Sequence, residues 1–186
     1  MYIELDEQEL ARYCSDGDRL AEDELYRRYA ARVNTICCRY TDNAEDAEDL
    51  MQEALMKALD KISTFTYTGK GSLSVWVSRI AINMAIDQIR KRHLRFIPFD
   101  LRIHDTKPEP TEEEIDAIPQ EKLLEWISKL PDLRRAVFNM YCIDGYTHKQ
   151  IADMLGISEK GSAGVLAKAR KQLKEEIRRY QKSRGQ

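Results

Sequence analysis

The run GYTHKQIADMLGIS at residues 145–158 restricts the possible folds of this chain more than any other segment. Thr147 stands where an N-cap opens a helix, Ile151, Ala152 and Leu155 share one helical face, and Gly156 supplies the left-handed residue that closes it. Ser158 then caps a second helix that runs through Leu166 and Leu173. Two helices joined by a short glycine turn form a helix-turn-helix, whose second member enters the major groove of duplex DNA. A purely structural helical hairpin has the same pattern, so the sequence beyond it has to decide.

From residue 160 to 184 the chain carries Lys160, Lys168, Arg170, Lys171, Lys174, Arg178, Arg179, Lys182 and Arg184 against only Glu175 and Glu176. Each cation set against a phosphate releases condensed counterions, so a positive stripe continuing a recognition helix favours DNA over a solvated tail. Lys160, Lys168, Arg170 and Lys171 are the candidate phosphate anchors.

Across the 186 residues, 30 Lys and Arg nearly balance 32 Asp and Glu, and the formal charge of -2 conceals strong segregation along the sequence. No apolar run approaches the roughly 20 residues of a membrane span, and the acidic start MYIELDEQEL lacks the regions of a signal peptide, so a cytoplasmic protein without membrane insertion is expected. Cys14, Cys37, Cys38 and Cys142 form no CxxC pair and His93, His104 and His148 stand apart, which excludes zinc-ligand spacing and predicts reduced, mostly packing thiols. No cofactor is expected. With 8 Gly, 5 Pro and apolar residues repeating at helical rather than alternating spacing, the chain reads as all-α.

Residues 94–118, LRFIPFDLRIHDTKPEPTEEEIDAI, hold three of the five prolines and an acidic cluster, and read as a flexible linker. The spacing therefore predicts two helical modules, residues 1–93 and 119–186. The first divides into four helices: about 4–14; Arg19 to Tyr40 with Leu20, Leu25, Tyr29, Val33 and Ile36 buried; one opened by Asn43; and one capped by Ser72. In the third, Ala47, Leu50, Met51, Ala54, Leu55 and Ala58 form the apolar face, leaving Asp46, Asp49, Gln52, Glu53 and Lys57 outward, with Glu53 and Lys57 spaced to pair.

In the fourth, SLSVWVSRIAINMAIDQIRKRH, the spacing puts Leu73, Trp76, Val77, Ile80, Ala81 and Met84 in the core, and Arg79, Asn83, Asp87 and Arg90 opposite. Arg79 and Arg90 suit phosphates, and Asn83 offers a donor and an acceptor to a base edge. The preceding loop FTYTGKG carries Phe65 and Tyr67, either packing rings or platforms for unstacked bases.

Taken together, DAEDLMQEALMKAL followed by the loop and SLSVWVSRIAINMAIDQIRKR resembles region 2 of a bacterial RNA polymerase sigma factor, and LPDLRRAVFNMYCIDGYTHKQIADMLGIS resembles region 4. Region 2, a proline-bearing linker and region 4 in that order is the pattern of the extracytoplasmic-function, or group 4, sigma factors. The resemblance implies that Asp46, Asp49, Gln52 and Glu53 dock on the clamp helices of the polymerase largest subunit. It implies that Phe65, Tyr67, Arg79, Asn83 and Arg90 capture a flipped base of the minus-ten promoter element and hold the non-template strand. It further implies that residues 130–170 read the minus-35 element and contact the flap of the second-largest subunit, and that the acidic linker threads toward the polymerase active centre. Core polymerase and promoter DNA are thus the expected partners, and an anti-sigma factor is left open. Two stretches depart from the family pattern: the loop from Phe65 to Trp76 is longer, and Gly161, Ala163, Gly164 and Val165 replace the usual polar residues of the recognition helix.

Two rival functions remain. A conventional helix-turn-helix regulator explains residues 145–184 but leaves the acidic helix without a task. A DNA-cutting or recombining enzyme would need a nucleophile with an arginine cluster or a carboxylate cluster for metal. Asp42, Glu45, Asp46, Glu48 and Asp49 are dense, but a helix scatters them around its surface and no His or second cluster joins them, so no enzyme is expected.

Overall fold

The computed structural model describes residues 5–93 and 118–184, which are all-α, with no strand among them. The chain divides into two compact units, Met1–Ile86 and Asp87–Gln186. Most of the expected linker, residues 94–117, lies outside the described residues.

In the first unit α1 spans Glu7–Ser15, α2 Arg19–Tyr40 and α3 Ala44–Asp60; α4, Ser72–His93, carries the chain past the division. Each start has a local cause. Asp6 and Glu9 form a reciprocal capping box at α1, the Asp18 carboxylate accepts from the Leu20 and Ala21 amides at α2, and Asn43 accepts from the Asp46 amide at α3. α1 and α3 both pack on α2. The core holds Leu10, Leu25, Val33, Leu50, Leu55, Leu73 and Val77, and burying each such aliphatic side chain contributes about 1.5–3 kcal/mol. Within it Glu24 is 6% exposed, its carboxylate shared by the guanidinium groups of Arg27 and Arg28. Burial opposes its charge, but the two arginines outweigh that and hold its carboxyl below the ordinary range. Burial drives the Cys14 thiol up to about 11 and Cys37 to about 12, so both are protonated packing groups, whereas Cys38 and Cys142 are exposed.

Four core assignments change. Leu20 is 62% exposed, because it lies about 140° around the helix from Leu25, whereas Ala21, about 40° away, is buried in its place. Trp76, Ile80 and Met84 are only half-buried, and Ile82, Ala85, Ile86 and Ile89 are buried instead. Steps of four residues advance the face of a helix by about 40°, so burial that starts on Leu73, Val77 and Ala81 wraps around α4 rather than following one stripe. Ser72 is itself the first residue of α4 and not its cap; the carboxylate of Glu7 takes that role from another helix. Glu53 and Lys57 form no ion pair.

In the second unit α5 spans Gln120–Ser128, α6 Asp132–Phe138, α7 His148–Leu155 and α8 Glu159–Arg184, with a π-helical turn at Asn139–Ile143 after α6. Pro119 and Pro131 precede α5 and α6, where a missing N–H costs nothing. The buried guanidinium of Arg135 donates to the Ser128 carbonyl at 2.8 Å and to Asp132 at 3.3 Å, tying the end of α5 to α6. α6 and α7 both pack on α8, while Ile118, Trp126 and Ile177 form a separate apolar cluster with Leu123, Leu173 and Tyr180 against it. Ile118, the last residue of the expected linker, is therefore packed.

Candidate nucleic-acid interface

The helix-turn-helix forms as its residues require. Thr147 and Gln150 make a reciprocal capping box at α7, Gly156 takes the left-handed conformation at φ 70°, and its amide returns to the Ala152 carbonyl at 2.9 Å. Ile151, Ala152 and Leu155 are buried, and the Ser158 hydroxyl accepts from the Gly161 amide at 3.0 Å to open α8. Gly161 and Ser162 are buried, so they face the body of the unit and not DNA; Ala163 is exposed. Lys160, Arg170 and Lys171 are exposed, and Lys168 is half-buried.

Arg170 is not a bare cation. Its guanidinium lies 5.8 Å from the ring centre of Tyr141, which stacks on His148 at 4.5 Å, and His148 Nδ1 lies 3.0 Å from the Ser162 hydroxyl. The wide π turn is the segment that carries Tyr141. Such a turn gives no periodic signal, so the sequence concealed this support.

On α3 the four acidic-face residues Asp46, Asp49, Gln52 and Glu53 are all exposed. Asp46 is engaged at home, where its carboxylate accepts from Asn43 Nδ2 at 3.0 Å. Asp49, Gln52 and Glu53 follow the i, i+3, i+4 spacing of one face, and Met56, 66% exposed, continues it. Sequence reasoning missed Met56. At about 100° per residue it stands half a turn from the centre of the buried stripe, so a helical count finds it.

Between the loop and α4 lies a cavity of about 500 Å³, lined among others by Phe65, Thr68, Lys70, Trp76 and Arg79. Phe65 and Trp76 meet at 5.6 Å between ring centres with planes tilted by 58°. Two rings and two cations line it, together with threonine and serine hydroxyls, and no carboxylate does. Tyr67 and Asn83 are exposed but outside this lining. Arg90 is part-exposed and bonded to Asp87 at 2.7 Å. The structure thus brings Phe65 and Arg79 together, adds Trp76 and Lys70, and leaves Tyr67, Asn83 and Arg90 outside the cavity.

Residues 25–95 match the Sigma-70 region 2 family and residues 120–173 match Sigma-70, region 4. These matches take in about two thirds of the chain, which belongs to the sigma-70 family. Within it the chain is of the ECF type. Its relatives include the ECF RNA polymerase sigma factor SigE of Mycolicibacterium smegmatis, 27% identical over 91% of this chain and 68% of that protein. Another is SigW of Bacillus subtilis, 28% identical over 87% of this chain and 91% of its own. Among solved structures, the sigma factor RpoE of Bartonella quintana, in complex with the anti-sigma factor NepR, covers 82% of this chain and 94% of its own at 19% identity and a TM-score of 0.49. No helix of the described residues is long and apolar enough to cross a membrane.

Proposed function

We propose that the chain is an RNA polymerase sigma factor that binds core enzyme, recognises minus-35 and minus-ten elements, and melts DNA by capturing the exposed strand, with no covalent step of its own. The observation that carries this reading is the cavity beside α4, where Phe65 and Trp76 offer ring faces and Lys70 and Arg79 offer charge to one unstacked nucleotide. Extruding a base from the duplex costs a few kcal/mol, and stacking it on aromatic side chains returns about 1–3 kcal/mol per base. The two terms nearly cancel, so capture has to be helped by phosphate contacts from Arg79 and Arg90, by Asn83 on a neighbouring base edge, and by Tyr67 within the loop.

The remaining contacts follow from charge. The exposed face of Asp49, Gln52 and Glu53, with Asp46 at its edge, complements a basic helical surface such as the clamp helices of the largest polymerase subunit. Lys160, Lys168, Arg170 and Lys171 anchor α8 on minus-35 phosphates, and this module also meets the flap of the second-largest subunit. Modules 1–93 and 119–186 divide these tasks, with the acidic segment 94–118 joining them inside a cytoplasmic holoenzyme. An anti-sigma factor is a further partner of the kind found with Bartonella RpoE. A helix-turn-helix regulator working without polymerase leaves the α3 face and the cavity unused. Run-off transcription with core polymerase over genomic promoters tests the proposal: specific transcripts with permanganate-reactive thymines are expected, and their absence, with tight promoter binding by the free chain, would overturn it.

A further inference from the structure

One contact ties a segment that precedes the region 2 match to the wall of the cavity. Glu7 lies in the first turn of α1, outside the matched residues 25–95. Its side chain is half-buried and crosses to the start of α4. Glu7 Oε2 accepts from the Gly71 amide at 2.8 Å and the Leu73 amide at 3.2 Å; Oε1 accepts from the Ser74 amide at 3.4 Å and from the Tyr29 hydroxyl at 3.1 Å. One carboxylate thus satisfies three of the amides that a helix start leaves unpaired, where the helix dipole also favours negative charge. Gly71, at φ 90°, and Ser72 are themselves part of the cavity lining. A second tie supports the same turn, for Arg32 Nε donates to the Ser78 hydroxyl at 3.2 Å, which donates on to the Ser74 carbonyl at 2.7 Å.

We propose that Glu7 is a positioning residue for strand capture: it fixes the turn at Gly69–Ser72 and the first turn of α4, and so holds Lys70, Trp76 and Arg79 in the arrangement that receives a base. This rests on the reading of the cavity as a nucleotide site. The proposal has a sign that distinguishes it from simple electrostatics. A carboxylate beside a DNA site repels phosphate, so if charge alone mattered its removal would tighten binding. If the four accepted bonds matter, removal loosens it.

The test uses holoenzyme assembled on core polymerase and a non-template-strand oligonucleotide carrying 2-aminopurine, taken from a promoter that the wild-type holoenzyme melts. Glu7→Ala is expected to weaken oligonucleotide binding roughly tenfold, about the loss of a helix cap, with core affinity unchanged. Glu7→Gln, which keeps one acceptor oxygen, should fall between it and wild type. Asp18→Ala removes the cap of α2 and none of the cavity lining, so it reports plain destabilisation; it should lower Tm and leave oligonucleotide affinity as it was. Wild-type or tighter binding by Glu7→Ala, or equal weakening by Asp18→Ala, overturns the positioning role. If the wild-type holoenzyme itself melts no promoter and binds no such strand, it is the reading of the cavity that fails.

Discussion

Reversing two charges on α3, Asp49→Arg with Glu53→Arg, separates docking from folding. Both side chains are exposed, lie one turn apart and stay clear of the buried stripe of Ala47, Leu50, Met51, Ala54, Leu55 and Ala58. Surface changes of this kind move stability by no more than about 0.5 kcal/mol, so helicity and Tm should hold. At an interface the accounting differs, since close charge pairs across a docked surface couple by about 1.5 kcal/mol or more each. Losing two such pairs costs at least about 3 kcal/mol, roughly a hundredfold in Kd, before any repulsion from the new arginines is added. A competition titration against labelled wild-type protein for core polymerase measures this directly. Asp46→Ala provides the contrast: its carboxylate holds Asn43 at the helix start, so its effect should appear as a stability loss of about 0.3–1 kcal/mol, read as a lower Tm. Wild-type core affinity of the double variant, with native circular dichroism, would refute the assignment of this face.

Asn83→Ala leaves the core of α4 untouched because Asn83 is exposed; closed complexes should persist while permanganate reactivity of promoter thymines is lost, and unchanged reactivity would count against its contact with a base edge. Lys171→Ala should weaken binding evenly across minus-35 variants and reduce the slope of log affinity against log salt by about 0.9, whereas a change in base preference at constant slope would disprove the phosphate role. Tyr141→Ala should release Arg170 and weaken minus-35 binding with little loss of Tm, since Tyr141 is part-exposed; an unchanged affinity sinks that link. Glu24 ionises more readily folded than unfolded, so its contribution is complete above its ordinary value near 4.5 and is lost as pH falls through the lower folded value. Glu24→Gln should flatten the acid limb of a Tm-against-pH curve, and an unchanged limb would assign acid lability elsewhere.

Where structure follows from neighbours along the chain, the sequence was sufficient. α2 begins and ends at Arg19 and Tyr40 as its spacing required, and Thr147, Gly156 and Ser158 punctuate the helix-turn-helix as caps do, because capping involves residues two to four apart. The apolar face of α3 was legible for the same reason, and so, in principle, was the exposed Met56 opposite it. The expected single stripe on α4 gave way because burial continues from Leu73, Val77 and Ala81 to Ala85, Ile86 and Ile89, and steps of four residues turn that face by about 40° each, so it winds around the helix. Phe65 and Arg79, singled out for their chemistry, both line the cavity, yet Trp76, which lines it too, was assigned to the core because apolar spacing cannot separate a ring that fills an interior from one that lines a cavity. Glu7 was the least legible of all. Its bonds to Gly71 and Leu73 join positions 64 and 66 residues apart, and no period, cap rule or charge pattern within α1 distinguishes it from Glu9, whose carboxylate turns back to its own helix at the Asp6 amide. Two acids two residues apart therefore do different work: one completes its own helix, and the other completes a helix that the chain reaches only after two more have formed.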